Sequence, residues 1–206
     1  MLIFAHPTFA THPCTSPLIL DLDGNGVLTT SLNYSVRFDI NGDGEEDSIG
    51  WTAWYSEEAF LWIDLNRNRF VDNGTELFGN NMLLPDGGFS SNGFEALAVF
   101  DAATFGGNED GIVSALDLVW QDLLLWRDAN HNGISEPREI QNLERHGILS
   151  IDLSYVERDE IDGNMNLHKF QGVFLKRLRG PAGSFVQEQA VHDVFFVVQE
   201  KREGSE

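Results

Sequence analysis

Between Asp128 and Glu139 the chain reads Asp-Ala-Asn-His-Asn-Gly-Ile-Ser-Glu-Pro-Arg-Glu, and every position that calcium chemistry requires is filled by a suitable residue. Side-chain oxygens come from Asp128, Asn130 and Asn132, and a backbone carbonyl comes from Ile134. Glu136 contributes directly or through water, and Glu139 contributes both carboxylate oxygens. Gly133 supplies the sharp turn. Oxygen donors in this number and spacing suit a hard cation, so the cofactor the sequence predicts is Ca2+. His131, at the fourth position, is expected to point outward.

Four more clusters share the pattern in less regular form. Asp21, Asp23 and Asn25 open a first loop whose twelfth position falls on Leu32. Asp39, Asn41, Asp43 and Glu45 open a second, with Asp47 at position nine and Gly50 at twelve. Both are expected to be partial sites, completed by oxygens from elsewhere or by water. The third has Asp64, Asn66, Asn68, the Phe70 carbonyl and Asp72 in register, but its Glu76 stands at position thirteen, as an extra Asn-Gly turn would require. Arg69 occupies position six, where positive φ is expected, and Arg67 and Arg69 bring positive charge. The fourth offers Asn108, Asp110, the Ile112 carbonyl and Asp117 at positions three, five, seven and twelve. Its first position is Gly106, and Asp101 is the candidate to reach in across residues 102–107. Asp162 to Asn166 has a similar composition, but Leu167 at its sixth position argues for a hairpin turn.

These loops need elements to hold them. Leu18–Leu20, Val36–Phe38, Trp51–Trp54 and Phe60–Ile63 are short apolar runs between Gly and Asn, which predicts strands. Asn92 with Glu95 forms a capping-box start, followed by a helical stripe of Phe94, Leu97 and Phe100. A second helix is expected from Ser114, with Leu116, Val119, Trp120 and Leu123 in the core, leading through Trp126 into the complete loop. A third opens at Glu136-Pro137, buries Ile140 and Leu143, and ends at Gly147. Beyond it, Ile151, Leu153 and Tyr155 pair as a hairpin with Leu167–Leu178, and Val194–Val198 forms a last strand. The predicted fold class is therefore α+β: short strands and calcium loops around an EF-hand-like helical pair, followed by a C-terminal β-hairpin. One domain is expected over 17–199, divided into a β-rich part (17–90), the helical pair (91–147) and the hairpin with its last strand (148–199). Residues 1–16 read as an extension and 200–206 as a disordered tail.

Composition narrows the partners. With 33 acidic against 13 basic side chains the formal charge is -20, which opposes nucleic acid and anionic membrane surfaces. Carboxylates clustered in loops repel one another without a cation, so metal binding should contribute folding free energy. The single Cys14 excludes an intramolecular disulfide and a thiolate site. The apolar start Met1–Ala5 is too short for a signal peptide or a membrane span, so no membrane insertion is expected, and cytoplasmic residence is the alternative to export. His131, His146, His168 and His192 show no metal-ligand spacing, and no Gly-x-Ser-x-Gly or His-Glu-x-x-His element occurs. Three methionines are too few for the groove of a target-binding sensor.

Four segments together carry a family likeness: Ser16-Pro17-Leu18-Ile19-Leu20-Asp21-Leu22-Asp23-Gly24-Asn25-Gly26, Asn73-Gly74-Thr75-Glu76-Leu77-Phe78-Gly79, Asn92-Gly93-Phe94-Glu95-Ala96-Leu97-Ala98 and Leu125-Trp126-Arg127-Asp128-Ala129-Asn130-His131-Asn132-Gly133. They resemble the calcium-binding module of large bacterial RTX-type and iron-regulated exoproteins, in register from about Pro17 to Phe196. The resemblance implies a secreted or cell-surface, calcium-folded module. Its better-known members are self-processing: calcium triggers cleavage of an Asp-Pro bond at the start of the module, and the new terminal Asp can be joined to a lysine amine. That chemistry needs the Asp carboxylate to attack its own carbonyl, and here Ser16 precedes Pro17. The function expected is thus a calcium-binding module of an exported bacterial protein, folded by calcium and without catalysis. The alternatives are calcium-triggered self-processing, a metal-assisted hydrolase, and a calcium sensor for a protein target that the sequence does not specify.

Overall fold

Apolar residues that alternate along β1 (Leu18–Asp21) feed two cores at once. Leu18 and Leu20 face one side and Ile19 the other, and all three are fully buried. A strand covered on both faces reads as a continuous apolar run, as β1 and its neighbour β4 (Glu58–Ile63) do. In the computed structural model, which describes residues 15–181 and 183–199, the remaining strands are β2 (Val36–Phe38), β3 (Asp47–Ile49), β5 (Ile112–Ser114), β6 (Leu123–Trp126), β7 (Ile140–Asn142), β8 (Ile148–Asp152), β9 (Val156–Ile161), β10 (Leu167–Gly180) and β11 (Gly183–Phe195). One antiparallel sheet runs in the order β5-β8-β10-β11-β1-β4-β6-β7, with β9 also pairing β10; β2 and β3 form a separate hairpin. One α-helix, α1 (Gly93–Ala98), closes the first core together with Phe78, Met82, Trp120 and Phe174. The second core is aromatic, with Phe38, Trp51, Phe60, Trp62, Trp126 and Phe196. Each fully buried side chain of this size is worth roughly 1.5–3 kcal/mol, so the sheet is secured from both faces.

The EF-hand-like helical pair does not form, and the α+β assignment is corrected to a mostly β fold. Leu116 to Trp126 contains only a short 3-10 turn at Leu118–Gln121, and Leu116 is 73% exposed. Its second half, Leu123–Trp126, is β6, hydrogen-bonded to β4 on one side and β7 on the other. An apolar run of four fits helix and strand periodicity equally, and pairing on both edges decides for the strand. The expected third helix is likewise β7 followed by a 3-10 turn at Leu143–His146, although Gly147 does end it in a left-handed conformation. The first helix keeps its predicted cap, the Asn92 side chain accepting from Glu95 N–H at 2.9 Å, but yields to 3-10 geometry from Val99. Trp51–Trp54 forms no strand; it makes one bridge, Thr29 to Thr52, and runs into a turn at Trp54. The C-terminal region is a sheet, not a single hairpin: β8 and β9 pair successive parts of β10, and β11 extends far upstream of Val194. The expectations on Cys14, on most of the extension 1–16 and on the tail 200–206 fall outside the described residues.

Candidate calcium loops

All five clusters adopt the same backbone turn. The residues at positions four and six lie in the left-handed region in each: Gly24 and Gly26, Gly42 and Gly44, Arg67 and Arg69, Glu109 and Gly111, His131 and Gly133, with φ between 58° and 96°. For the arginines, Glu109 and His131 this costs on the order of 1 kcal/mol each, so other bonds must hold them there. One such bond recurs throughout. The N–H at position six donates to the first aspartate: Gly26 to Asp21 (2.8 Å), Gly44 to Asp39 (2.9 Å), Arg69 to Asp64 (2.9 Å), Gly111 to Asp101 (2.9 Å) and Gly133 to Asp128 (2.8 Å). Asp101 therefore fills the first position of the fourth loop from outside its register.

The loops are closed by carboxylates in equivalent places. Glu139 accepts from the N–H groups of positions two and nine, Ala129 (3.2 Å) and Glu136 (3.4 Å). Glu76 does the same with Leu65 (3.2 Å) and Asp72 (3.0 Å), so its place one residue late is absorbed by the 3-10 turn Gly74–Glu76 that Asn73 caps. These two loops touch at their eighth positions, Val71 N–H donating to Ser135 Oγ at 2.8 Å. Asp117 closes the fourth loop on Asn108 N (3.2 Å) and Ser114 N (2.7 Å). The first loop is completed by a residue the sequence reading missed. Glu58 stands opposite Asp21 in the β1–β4 register, is 1% exposed, and accepts from Leu28 N–H at 3.0 Å. Only the strand pairing brings it there, although a glutamate opening an apolar run was a signal. In the second loop Asp47 is buried on β3, while Gly50 gives the twelfth position no side-chain oxygen.

Within the loops the amide groups donate to neighbouring carboxylates. Asn130 and Asn132 each donate Nδ2 to Glu136 at 3.1 Å, and Asn66 and Asn68 donate to Asp72 at 2.6 Å. Asn25 donates to Asp23, Asn41 to Asp43 and Asn108 to Asp110 in the same way. An entering ion would turn these amides so that Oδ1 faces it, and the Phe70, Ile134, Ile112 and Glu45 carbonyls lie at position seven. Three oxygens are already buried with no hydrogen-bond partner: Asn130 Oδ1, Asp101 Oδ1 and Glu58 Oε2. Burying an acceptor unpaired costs about 1–3 kcal/mol, which a hard cation would recover. Desolvation pushes the carboxyl of Glu139 up to about 7, with the neighbouring Glu136 carboxyl adding to it. Glu76 and Glu58 are raised by desolvation too, while the bond from Glu139 and those from the Asn132 and Asn130 amides hold Glu136 low. The Lys176 ammonium reaches the Leu22 carbonyl and brings positive charge to the first loop. Among the described residues no three His, Cys, Asp or Glu side chains form a ready metal cluster. The candidate donor sets mix three carboxylates per loop with amide and main-chain carbonyl oxygens, a combination that would suit a hard cation such as calcium.

The complete loop is also anchored from outside. It joins β6 to β7, and Arg127 N–H donates to the Glu139 carbonyl at 3.0 Å. Trp51 Nε1 donates to Asp128 Oδ2 at 2.9 Å from within the aromatic core. His131 does not point outward. Its ring nitrogens lie 2.8 Å from the carbonyls of Thr52 and Tyr34, and its ring packs 4.1 Å from Trp54. His131→Ala should therefore cost about 1–3 kcal/mol of stability in calcium, read from urea unfolding. Glu58→Gln should lower the calcium stoichiometry found by isothermal titration by one and leave stability in chelator unchanged or higher.

Residues 18–189 match the SPM domain family. The chain belongs to that family. Over 162 residues it is 40% identical to the Iron-regulated protein FrpA of Neisseria meningitidis serogroup C, a match that covers 78% of this chain and 14% of that relative. The SPM domain thus corresponds to a small part of a much longer protein. Its match begins at β1, immediately after Ser16-Pro17. Ser16 is buried, its N–H donates to Asn80 Oδ1 at 2.9 Å, and its hydroxyl lies beside the buried Asp193. Among the described residues no helix is long and apolar enough to cross a membrane.

Proposed function

We propose that this SPM domain is a calcium-binding module of an exported bacterial protein, and that calcium completes its folding. The observation that carries this reading is the repetition of one carboxylate-capped turn in five loops, three of which hold a buried oxygen with no partner. With few carboxylates per loop, dissociation constants on the order of 10⁻⁵ to 10⁻³ M are expected, so the loops fill outside a cell and empty in a cytosol. A formal charge of -20 supports calcium as the partner and opposes nucleic acid. No self-processing is proposed at Ser16-Pro17, because a hydroxyl cannot form the anhydride that an aspartate carboxylate can. A gel after incubation with calcium tests that point, and new bands would refute it.

The principal test is titration of chelator-treated protein with calcium, followed by far-UV circular dichroism and tryptophan fluorescence, with magnesium as control. Trp51, bonded to Asp128, and Trp126, beside the loop, should both report. A cooperative gain of structure at micromolar to millimolar calcium is the expected result. A chain fully folded in chelator and indifferent to millimolar calcium would overturn the proposal.

A further inference from the structure

The sequence gives His168 and His192 no ligand spacing, yet the pairing of β10 with β11 brings them together. A register shift between His168 and Phe170 offsets the strands, and the two Nδ1 atoms come to lie 3.0 Å apart with the rings at 89°. His168 Nε2 lies 3.4 Å from Asp162 Oδ2. Asp162 is itself fixed: its other oxygen accepts from Asn164 N (2.8 Å) and Asn166 N (2.9 Å), and Thr29 Oγ1 donates to Oδ2. A carboxylate that accepts the Nε2 proton leaves the lone pair of His168 on Nδ1, facing His192.

We propose that His168 and His192 form a binding site for a divalent transition metal of the zinc, nickel and copper class, separate from the calcium loops, with Asp162 as the positioning residue behind His168. Imidazole nitrogens select these borderline metals over calcium. Two nitrogens bound to one tetrahedral zinc at 2.0–2.1 Å are about 3.3 Å apart, so a shift of a few tenths of an ångström, with both rings turned so that their Nδ1 lone pairs converge beside the N···N line, admits the ion. Burial, reinforced by His168, keeps His192 neutral down to about pH 4, leaving it free to act as a ligand. Among the facing charges, Asp21 and Arg158 act on His192 in opposite senses. Lys169, the residue at the β10 bulge, lies over Phe170 and Phe195. Among the described residues no third His, Cys, Asp or Glu joins the pair, so the other coordination positions fall to water or to a donor from another molecule. A bound ion would cross-link β10 to β11 beside the 162–166 turn.

The test is a zinc titration by calorimetry in millimolar calcium, which keeps the acidic loops filled, together with nitrogen-15 shifts of the histidine rings. One zinc per chain is expected, with the Nδ1 resonances of His168 and His192 shifting together. His192→Ala should weaken binding at least tenfold, and Asp162→Asn by about 10- to 100-fold, the usual effect of losing such a partner. His146→Ala should change nothing. Circular dichroism in calcium checks each variant, and the ring shifts of the unmodified protein decide the matter even where a variant does not fold. No zinc uptake in calcium, uptake indifferent to His192→Ala, or rings that do not respond would overturn the site and leave a plain N–H···N hydrogen bond.

Discussion

Replacing Glu76 and Glu139 together by glutamine should lower the urea midpoint in calcium sharply toward the midpoint in chelator, leaving only what the other three loops contribute. Each glutamate uses both oxygens to close its loop across positions two and nine, and each is the one residue placed to hold an ion with two oxygens. Calcium at a hundred times the dissociation constant stabilises by about 2.7 kcal/mol per site, so two sites supply about 5 kcal/mol. That is comparable to the entire stability of many domains. Each single variant should show roughly half of the loss seen in the double variant. In chelator the order reverses, since both carboxyls are desolvated without a countercharge and the double variant is as stable as the parent or more so. An undiminished calcium shift in the double variant would mean that these loops are not where the ion acts.

The loop turns were legible because Asp, Asn and Gly at fixed offsets dictate them locally, and no packing is needed to read Asp128 to Glu139. β1, β2, β4 and the Asn92 cap were legible for similar local reasons. The flanking helices were not. Leu123–Trp126 satisfies helical spacing, and only its pairing with Phe60–Ile63 and Ile140–Asn142 makes it a strand. The same tertiary information hid Glu58, thirty residues from the loop it completes, and the full length of β11, whose polar residues carry no apolar period. Glu76 shows the opposite case. Its displaced position called for an extra Asn-Gly turn, and the turn that Asn73 caps restores its contacts. The histidine pair lay beyond sequence reasoning altogether, because a bulge, and not a spacing, sets His168 against His192.

Asp193→Asn should stabilise the protein at pH 8 and do little at pH 4, measured by urea unfolding in saturating calcium. Asp193 is fully buried on β11, opposite Leu18. Desolvation pushes its carboxyl up to about 6 from an ordinary 3.8, partly opposed by the Ser16 hydroxyl and the Gly93 N–H, which donates to Oδ2 at 2.7 Å. A carboxyl raised by folding binds its proton more tightly in the native state. Its contribution is therefore complete below pH 3.8 and is lost as pH rises through about 6. A rise of about two pH units corresponds to about 3 kcal/mol at most, and about 1–3 kcal/mol is the expected gain of the variant at pH 8. Asparagine keeps the acceptor for Gly93 and carries no charge at any pH. Its amide can also donate to the neighbouring Ser16 Oγ. The same geometry sustains the desolvation: Ser16-Pro17 packs against Gly79 so closely that a Cβ there would lie 1.6 Å from the Ser16 carbonyl, which leaves no room for water beside the carboxyl. If Asp193→Asn instead destabilised the protein equally at both pH values, the carboxyl would be ionised and paired in the native state, and the segment around Ser16 would have to be more open than this packing allows.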